Sequence, residues 1–197
     1  MTSATVRGYA KGRARRAEII DRATVLFGEV GYRGSSLREI AARCGISHPG
    51  LLHHFTTKKA LLIALLEYRD ELDGARFSGE PGVERLRQIV DLAADNEQRR
   101  GTVELYVVLA AEATAADHPA HDYFATRYGR ALDIAAQSFD VARGHGQLRA
   151  GVDPTAAAQE LIALMDGLQL QWLLDGGRTP MAALVRQHVQ ARLTVEL

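Results

Sequence analysis

The 197-residue sequence has a single cysteine, Cys44. That excludes an intrachain disulfide framework and any cysteine-rich zinc site. No run of 18 apolar residues occurs, so no segment reads as crossing a membrane. The N-terminal stretch is basic and polar and lacks the apolar core of a signal peptide, which makes the cytoplasm the expected location. Period-2 stretches are few, and alanine and leucine dominate over β-branched residues, which argues against a β-rich fold. Enzyme fingerprints are missing as well: there is no Gly-x-Ser-x-Gly elbow, P-loop or dinucleotide motif. His121-Asp122 reads as a helix start, and Ser138, Asp140 and His145 form no ordered constellation.

Net charge is also absent, with 24 Lys/Arg against 24 Asp/Glu, but the balance hides an asymmetry. Residues 1–60 carry 11 Lys/Arg and 4 Asp/Glu, a net of +7, and residues 61–197 carry 13 and 20, a net of −7. Arg7, Lys11, Arg13, Arg15 and Arg16 cluster at the start. A basic head on an acidic body is the charge pattern of a nucleic-acid contact carried by one module, or of a solvated basic tail.

Helical periodicity runs through nearly the whole chain, so the expected fold is all-α with about nine helices. From Arg15 to Tyr32 the apolar residues Ile19, Ile20, Ala23, Leu26, Phe27 and Val30 share one face, and Gly31 is placed to end that helix. Ser36-Leu37-Arg38-Glu39 is a capping box, opening a second helix that buries Leu37, Ile40 and Ala41 and stops at Cys44-Gly45. Ser47 caps a third, with Pro49 in its first turn, where a missing N–H costs little. Thr57 caps a fourth, running through Leu61, Leu62, Leu65 and Leu66 toward Asp73.

Helices at about 36–43 and 48–54, joined by a turn on Gly45, form a helix-turn-helix unit. Its second helix suits a major groove about 12 Å wide. The stretch ISHPGLLHHF raises a competing possibility, that its histidines bind a metal. His48 and His53 are five residues apart, about 140° around a helix, and share no face. There is no His-Glu-x-x-His spacing, and Cys44 fits the turn better as a packed residue. No metal and no cofactor is expected.

GYRGSSLREIAARCGISHPGLLHHFTTKKALL, residues 31–62, resembles the DNA-binding segment of the TetR family of bacterial transcriptional repressors. The motifs that carry the likeness are the Gly-Tyr after helix one, Arg-Glu-Ile-Ala, Gly-Ile-Ser, and Leu-x-x-His-Phe-x-x-Lys. The close match covers about the first 70 residues. Beyond residue 75 it is one of length and helix rhythm, although GQLRAGVDP followed by LIALMDGLQLQWLLD looks like the late helices of such sensors.

The resemblance implies an N-terminal three-helix DNA-binding domain over 13–73, with its helix-turn-helix at 36–55, and a larger ligand-binding and dimerisation domain over 74–197. It implies that Ser35 and Ser36 meet phosphate at a helix N-terminus, a place the helix dipole also favours. Ser47, His48, Pro49 and Gly50 would open the recognition helix against base edges, Leu52 and His53 would touch bases, thymine methyls or phosphates, and His54 and Lys58 would contact the backbone. The chain departs from the common form at His48, where lysine is frequent, Pro49, where glycine is, and Leu52, where tyrosine is.

Five further helices are expected at 83–99, 102–114, 120–143, 155–175 and 181–193, separated by proline and glycine breaks. Val103–Ala111 is apolar apart from Glu104, with Glu112 at its end. A carboxylate beside such a core needs a partner or solvent, so Glu112 either pairs with an arginine such as Arg127, lies at the helix edge, or anchors a ligand. The helix at 155–175 carries two apolar stripes, and with 181–193 it could pack on a second copy as a four-helix bundle, as the resemblance also implies. Candidate effector-pocket residues are Tyr106, Glu112, Tyr123, Phe139, Met165 and Trp172, large or polar groups on buried helices.

The expected function is a homodimeric, ligand-responsive regulator, a repressor reading a palindromic double-stranded DNA operator. An unidentified small-molecule effector lodged between helices of residues 60–175 would tilt helix four and alter the spacing of the two reading heads. It acts only if it binds the DNA-incompetent arrangement more tightly. The alternatives are a small all-α enzyme and a helical scaffold, and the scaffold would leave the basic helix-turn-helix unexplained.

Overall fold

Caps and positive-φ glycines divide the chain into helices at nearly every expected place. A computed structural model describes the backbone of residues 3–74, 77 and 79–197, and their side chains apart from 3–11, 72 and 73. The side chains of Arg7 and Lys11 in the basic cluster therefore lie outside what is described. Among the described residues there are nine helices: α1 (Ser3–Gly34), α2 (Leu37–Arg43), α3 (His48–His54), α4 (Lys58–Gly74), α5 (Val83–Asn96), α6 (Arg100–Glu112), α7 (His121–Gly144), α8 (Pro154–Leu174) and α9 (Met181–Gln190).

They group into two compact units, one of residues up to Asp70 with Glu104–His121, the other of Glu71–Val103 with Asp122–Leu197. In the first unit, Ile19, Ile20, Ala23, Leu26 and Phe27 of α1 are buried, as their spacing predicts. Val30 departs from that face and lies exposed, one residue before the helix kinks. The kink is at Gly31, with φ 72° and ψ 177°, and one more turn follows it to Gly34. Ser36 Oγ accepts the Glu39 N–H at 3.2 Å and Ser47 Oγ the Gly50 N–H at 3.1 Å, so both caps form as read. Leu37 is only half-buried, which leaves Ile40 and Ala41 as the buried face of α2. Gly45, with φ 63°, turns the chain between α2 and α3. Thr57 Oγ1 accepts the Ala60 N–H at 3.0 Å and opens α4, whose Leu61, Leu62, Leu65 and Leu66 are fully buried.

In the second unit, α5 presents Leu86, Ile89, Val90 and Ala93, and α9 presents Met181, Val185 and Val189 as buried faces. Asp153 Oδ2 accepts the Ala156 N–H at 2.8 Å and starts α8 with Pro154 in its first turn. The last helix stops at Gln190 rather than at 193. Beyond it Arg149 N–H donates to Arg192 O at 2.8 Å and Thr194 N–H to Gln147 O at 2.9 Å, an antiparallel bridge of Leu148 with Leu193. The chain exchanges helical hydrogen bonds for pairing with the Gln147–Arg149 loop, a partner some 45 residues away that local periodicity does not reveal.

Candidate nucleic-acid interface

The α2–turn–α3 unit is held by three buried anchors. Ile40 and Ala41 of α2 and Leu51 of α3 face inward, and Phe55, just past α3, is also buried with the Arg16 guanidinium 4.5 Å above its ring. With Leu51 pinned inside, the rest of the short helix turns outward. Ser47, Pro49 and His53 are exposed, and His48, Gly50, Leu52 and His54 are half-exposed. The His53 and His54 rings meet edge to face with centroids 5.7 Å apart. Among the described residues no group of three or more His, Cys, Asp or Glu is placed to hold a metal ion.

Ser36 and Ser47 use their oxygens as cap acceptors, yet each hydroxyl keeps its O–H to donate outward. Ser35 and Lys58 are turned elsewhere. Ser35 is buried and its Oγ donates to Tyr32 O at 2.8 Å. Lys58 Nζ donates to Tyr32 O at 2.7 Å and to Ser35 O at 2.8 Å, and it sits 4.3 Å from the centre of the Tyr32 ring. Burial pulls the Lys58 ammonium below its ordinary range, partly offset by the Glu112 carboxylate. The physical reason is that α1 ends at Gly34, which leaves the Tyr32 and Ser35 carbonyls without donors from a continuing helix, and the nearest cation satisfies them.

Glu112 meets the backbone of Tyr32 and the ring of His118. Its Oε2 accepts the Tyr32 N–H at 2.7 Å and lies 3.5 Å from His118 Nε2. Burial holds His118 below the usual histidine range, with Glu112 the largest opposing influence. Arg33 and Asp117 form an exposed ion pair beside it at 3.1 Å. Sequence reasoning missed Tyr32 and His118 as members of this cluster. His118-Pro119 read only as a break, and nothing in the chain order joins it to Tyr32.

The remaining pocket candidates are divided between the units. Tyr106 is buried in the first unit. In the second, Phe139 is fully buried and Tyr123 lies edge-on to Phe124 at 5.2 Å. Trp172 is buried, packs against the Gly177 turn and carries the Arg100 guanidinium 5.6 Å from its ring centre. Met165 alone of the six lines a small apolar hollow with Ala93, Leu168, Met181 and Val185, of about 10 Å³. That is room for about one water molecule. Ser138, set aside above as a nucleophile, donates its hydroxyl to Ile134 O at 2.7 Å.

This geometry agrees with comparison to known proteins. The family model for bacterial regulatory proteins of the tetR family matches residues 19–65. A second, for the C-terminal part of BetI-type transcriptional repressors, matches residues 82–194, more than half of the chain. The chain belongs to the TetR family. Among curated TetR-family relatives, the HTH-type transcriptional repressor KstR2 of Rhodococcus jostii is 35% identical over 107 residues, 54% of this chain and 46% of that protein. The A-factor receptor protein of Streptomyces griseus is 23% identical over 177 residues, 86% of this chain and 59% of that one. The chain thus spans about half the length of these relatives. Among solved structures, AibR in complex with isovaleryl coenzyme A and operator DNA matches with a TM-score of 0.72 and 26% identity, over 90% of this chain and 97% of that one. A TetR regulator from Chloroflexus aurantiacus shares the TetR fold at a TM-score of 0.78 and 20% identity, over 93% and 98%.

Proposed function

We propose that this TetR-family chain is a homodimeric transcriptional repressor that binds a palindromic operator and is released by a small-molecule effector. The observation that carries the reading is the seven-residue α3, capped by Ser47 and pinned by Leu51, with its remaining side chains presented outward. Residues 13–73 are assigned to DNA reading, and 74–197 to dimerisation and effector binding. Direct contacts are assigned to Ser36, Ser47, His48, Pro49, Gly50, Leu52, His53 and His54. Ser35 and Lys58 act from behind, because their polar groups are committed to carbonyls of the Tyr32–Ser35 segment. Leu52 can meet a thymine methyl but cannot donate a hydrogen bond, and His48 stands where lysine is frequent in the family.

A second copy is the partner that the outer face of α8 fits. Ala163, Gly167, Leu170 and Leu174 follow one another at spacings of four, three and four, and Leu170 and Leu174 are 48% and 80% exposed. A stripe of small and apolar residues at that spacing is the seam of a helix pair. On α9 the outward residues are Ala183, Arg186 and Gln187, which suit the rim of such a bundle. Two reading heads about 34–36 Å apart would then meet successive major grooves of one palindrome. A small-molecule effector is consistent with the AibR complex and with the SmeT–triclosan complex, a structural neighbour of 23% identity. The curated relatives named above, a repressor and a receptor, support a regulator, and binding to operator DNA is consistent with a cytoplasmic location.

Selection from random duplexes tests this directly. The purified chain should enrich a palindrome, with affinity falling steeply as salt rises. Enrichment of no sequence, or equal retention of every duplex, overturns the reading.

A further inference from the structure

We propose that Glu112, on the last turn of α6, is a positioning residue for DNA recognition, holding the α1–α2 junction through the backbone of Tyr32. The inference rests on the operator-binding reading above.

The kink at Gly31 gives the geometry its origin. With φ at 72°, Gly31 turns the chain out of helical register, and the Tyr32 N–H donates to Glu112 Oε2 at 2.7 Å instead of to its own helix. A Cβ built on Gly31 would lie 2.3 Å from Glu112 Oε1. The position therefore needs glycine twice, for its φ and for the close approach of the carboxylate. The other side of the same residue is held with opposite charge. The Tyr32 carbonyl accepts from Lys58 Nζ at 2.7 Å, and Lys58 also reaches Ser35 O at 2.8 Å. An anion thus takes the N–H of Tyr32 and a cation takes its C=O. Such charge-assisted bonds are about twice as strong as neutral ones and fix direction as well as distance.

The carboxylate also lies beside a buried ring. His118 is 3% exposed, and its Nδ1 accepts the Ala120 N–H at 3.3 Å. The neutral ring must then carry its proton on Nε2, which lies 3.5 Å from Glu112 Oε2. The ring also packs edge-on to Tyr32 at 5.2 Å, and Arg33 pairs with Asp117 next to it. The groups holding the junction thus include Ser35, Lys58 and the 112–118 segment, which Arg33 joins through Asp117. The Tyr32–Ser35 segment leads directly into the Ser36 cap of α2, and α2 carries α3 across one glycine turn. A small rotation at Tyr32 is passed on to the base-reading side chains, where a misplacement of an ångström costs discrimination. It leaves general phosphate attraction intact.

A side chain that merely stabilised the fold would, once removed, lower all binding in proportion to the folded fraction. A positioning residue loses operator affinity while keeping non-specific affinity. Full-length wild type, Glu112→Ala, Glu112→Gln and Glu112→Asp are compared on the selected operator and on a random duplex, at a temperature where circular dichroism shows each folded. Glu112→Ala should bind the operator about ten- to a hundredfold more weakly, the loss expected for a hydrogen bond to a charged group. Its affinity for the random duplex should stay within about twofold. Glu112→Gln, which can still accept from Tyr32, should lose less. Glu112→Asp keeps the charge one methylene short of the bond and should behave like alanine, and it stands in if the alanine variant does not fold. Operator affinity unchanged, or falling by the same factor as random affinity, in a folded Glu112→Ala or Glu112→Asp overturns the assignment. A wild type with no preferred duplex overturns the operator-binding reading instead, so the two failures are distinct.

Discussion

At Tyr32 a single backbone residue is gripped by a carboxylate and an ammonium that stand 80 and 26 residues away in sequence. The glycine before it was legible as a helix end, because positive φ is a local property. The partners were not, because each is only one of many carboxylates or cations until the fold brings it near. His118 follows the same logic, and its burial has a measurable consequence. Desolvation places its folded value below the ordinary 6.5 of the unfolded chain, so protons favour unfolding. Its contribution to stability is complete above about pH 6.5 and is lost as pH falls through the lowered value. His188, also lowered by burial, acts in the same direction. Urea midpoints measured from pH 7.5 down to pH 5 should therefore decline. His118→Asn, whose amide oxygen can replace Nδ1 as acceptor, should flatten part of that decline. Wild-type and variant curves that stay parallel would show that His118 does not titrate in this way.

The helices were legible where their boundary signals lie within a few residues. Ser36, Ser47 and Thr57 cap the helices their positions predict, since a cap needs only a side-chain oxygen and an N–H three residues on. The failures are non-local. Helix α9 ends three residues early because residues 192–194 pair with the Gln147–Arg149 loop, and Val30 leaves the buried face of α1 beside the kink. Helix α4 offers a test at this scale, because its first residue, Lys58, donates to the Tyr32 and Ser35 carbonyls. Lys58→Met keeps most of the side chain's length over the Tyr32 ring. It should weaken operator binding while leaving the slope of log affinity against log salt unchanged. A slope shallower by about one would mean that Lys58 neutralises a phosphate after all.

For the molecule as a whole, the proposed function requires two copies, and the outer stripe of α8 is where the second is expected. A Cβ added at Gly167 meets nothing within 4 Å, so Gly167→Glu should leave the protomer folded and gain helix propensity. Placed in a dimer seam it buries an unpaired charge. The variant should elute as one 21.5 kDa chain where wild type elutes as two, and its operator affinity should fall with the loss of the second reading head. An unchanged elution volume would remove α8 from the interface. Sequence by itself determined the all-helical class, the helix-turn-helix, its caps and the basic head, because periodicity, capping and charge are written within a few residues of one another. Only the tertiary structure decided that Glu104–His121 groups with the N-terminal residues, that Lys58 and Ser35 face a backbone junction, and that Glu112 meets Tyr32. Those outcomes turn on which buried polar group finds which partner, a choice made by proximity in space that the order of residues does not record.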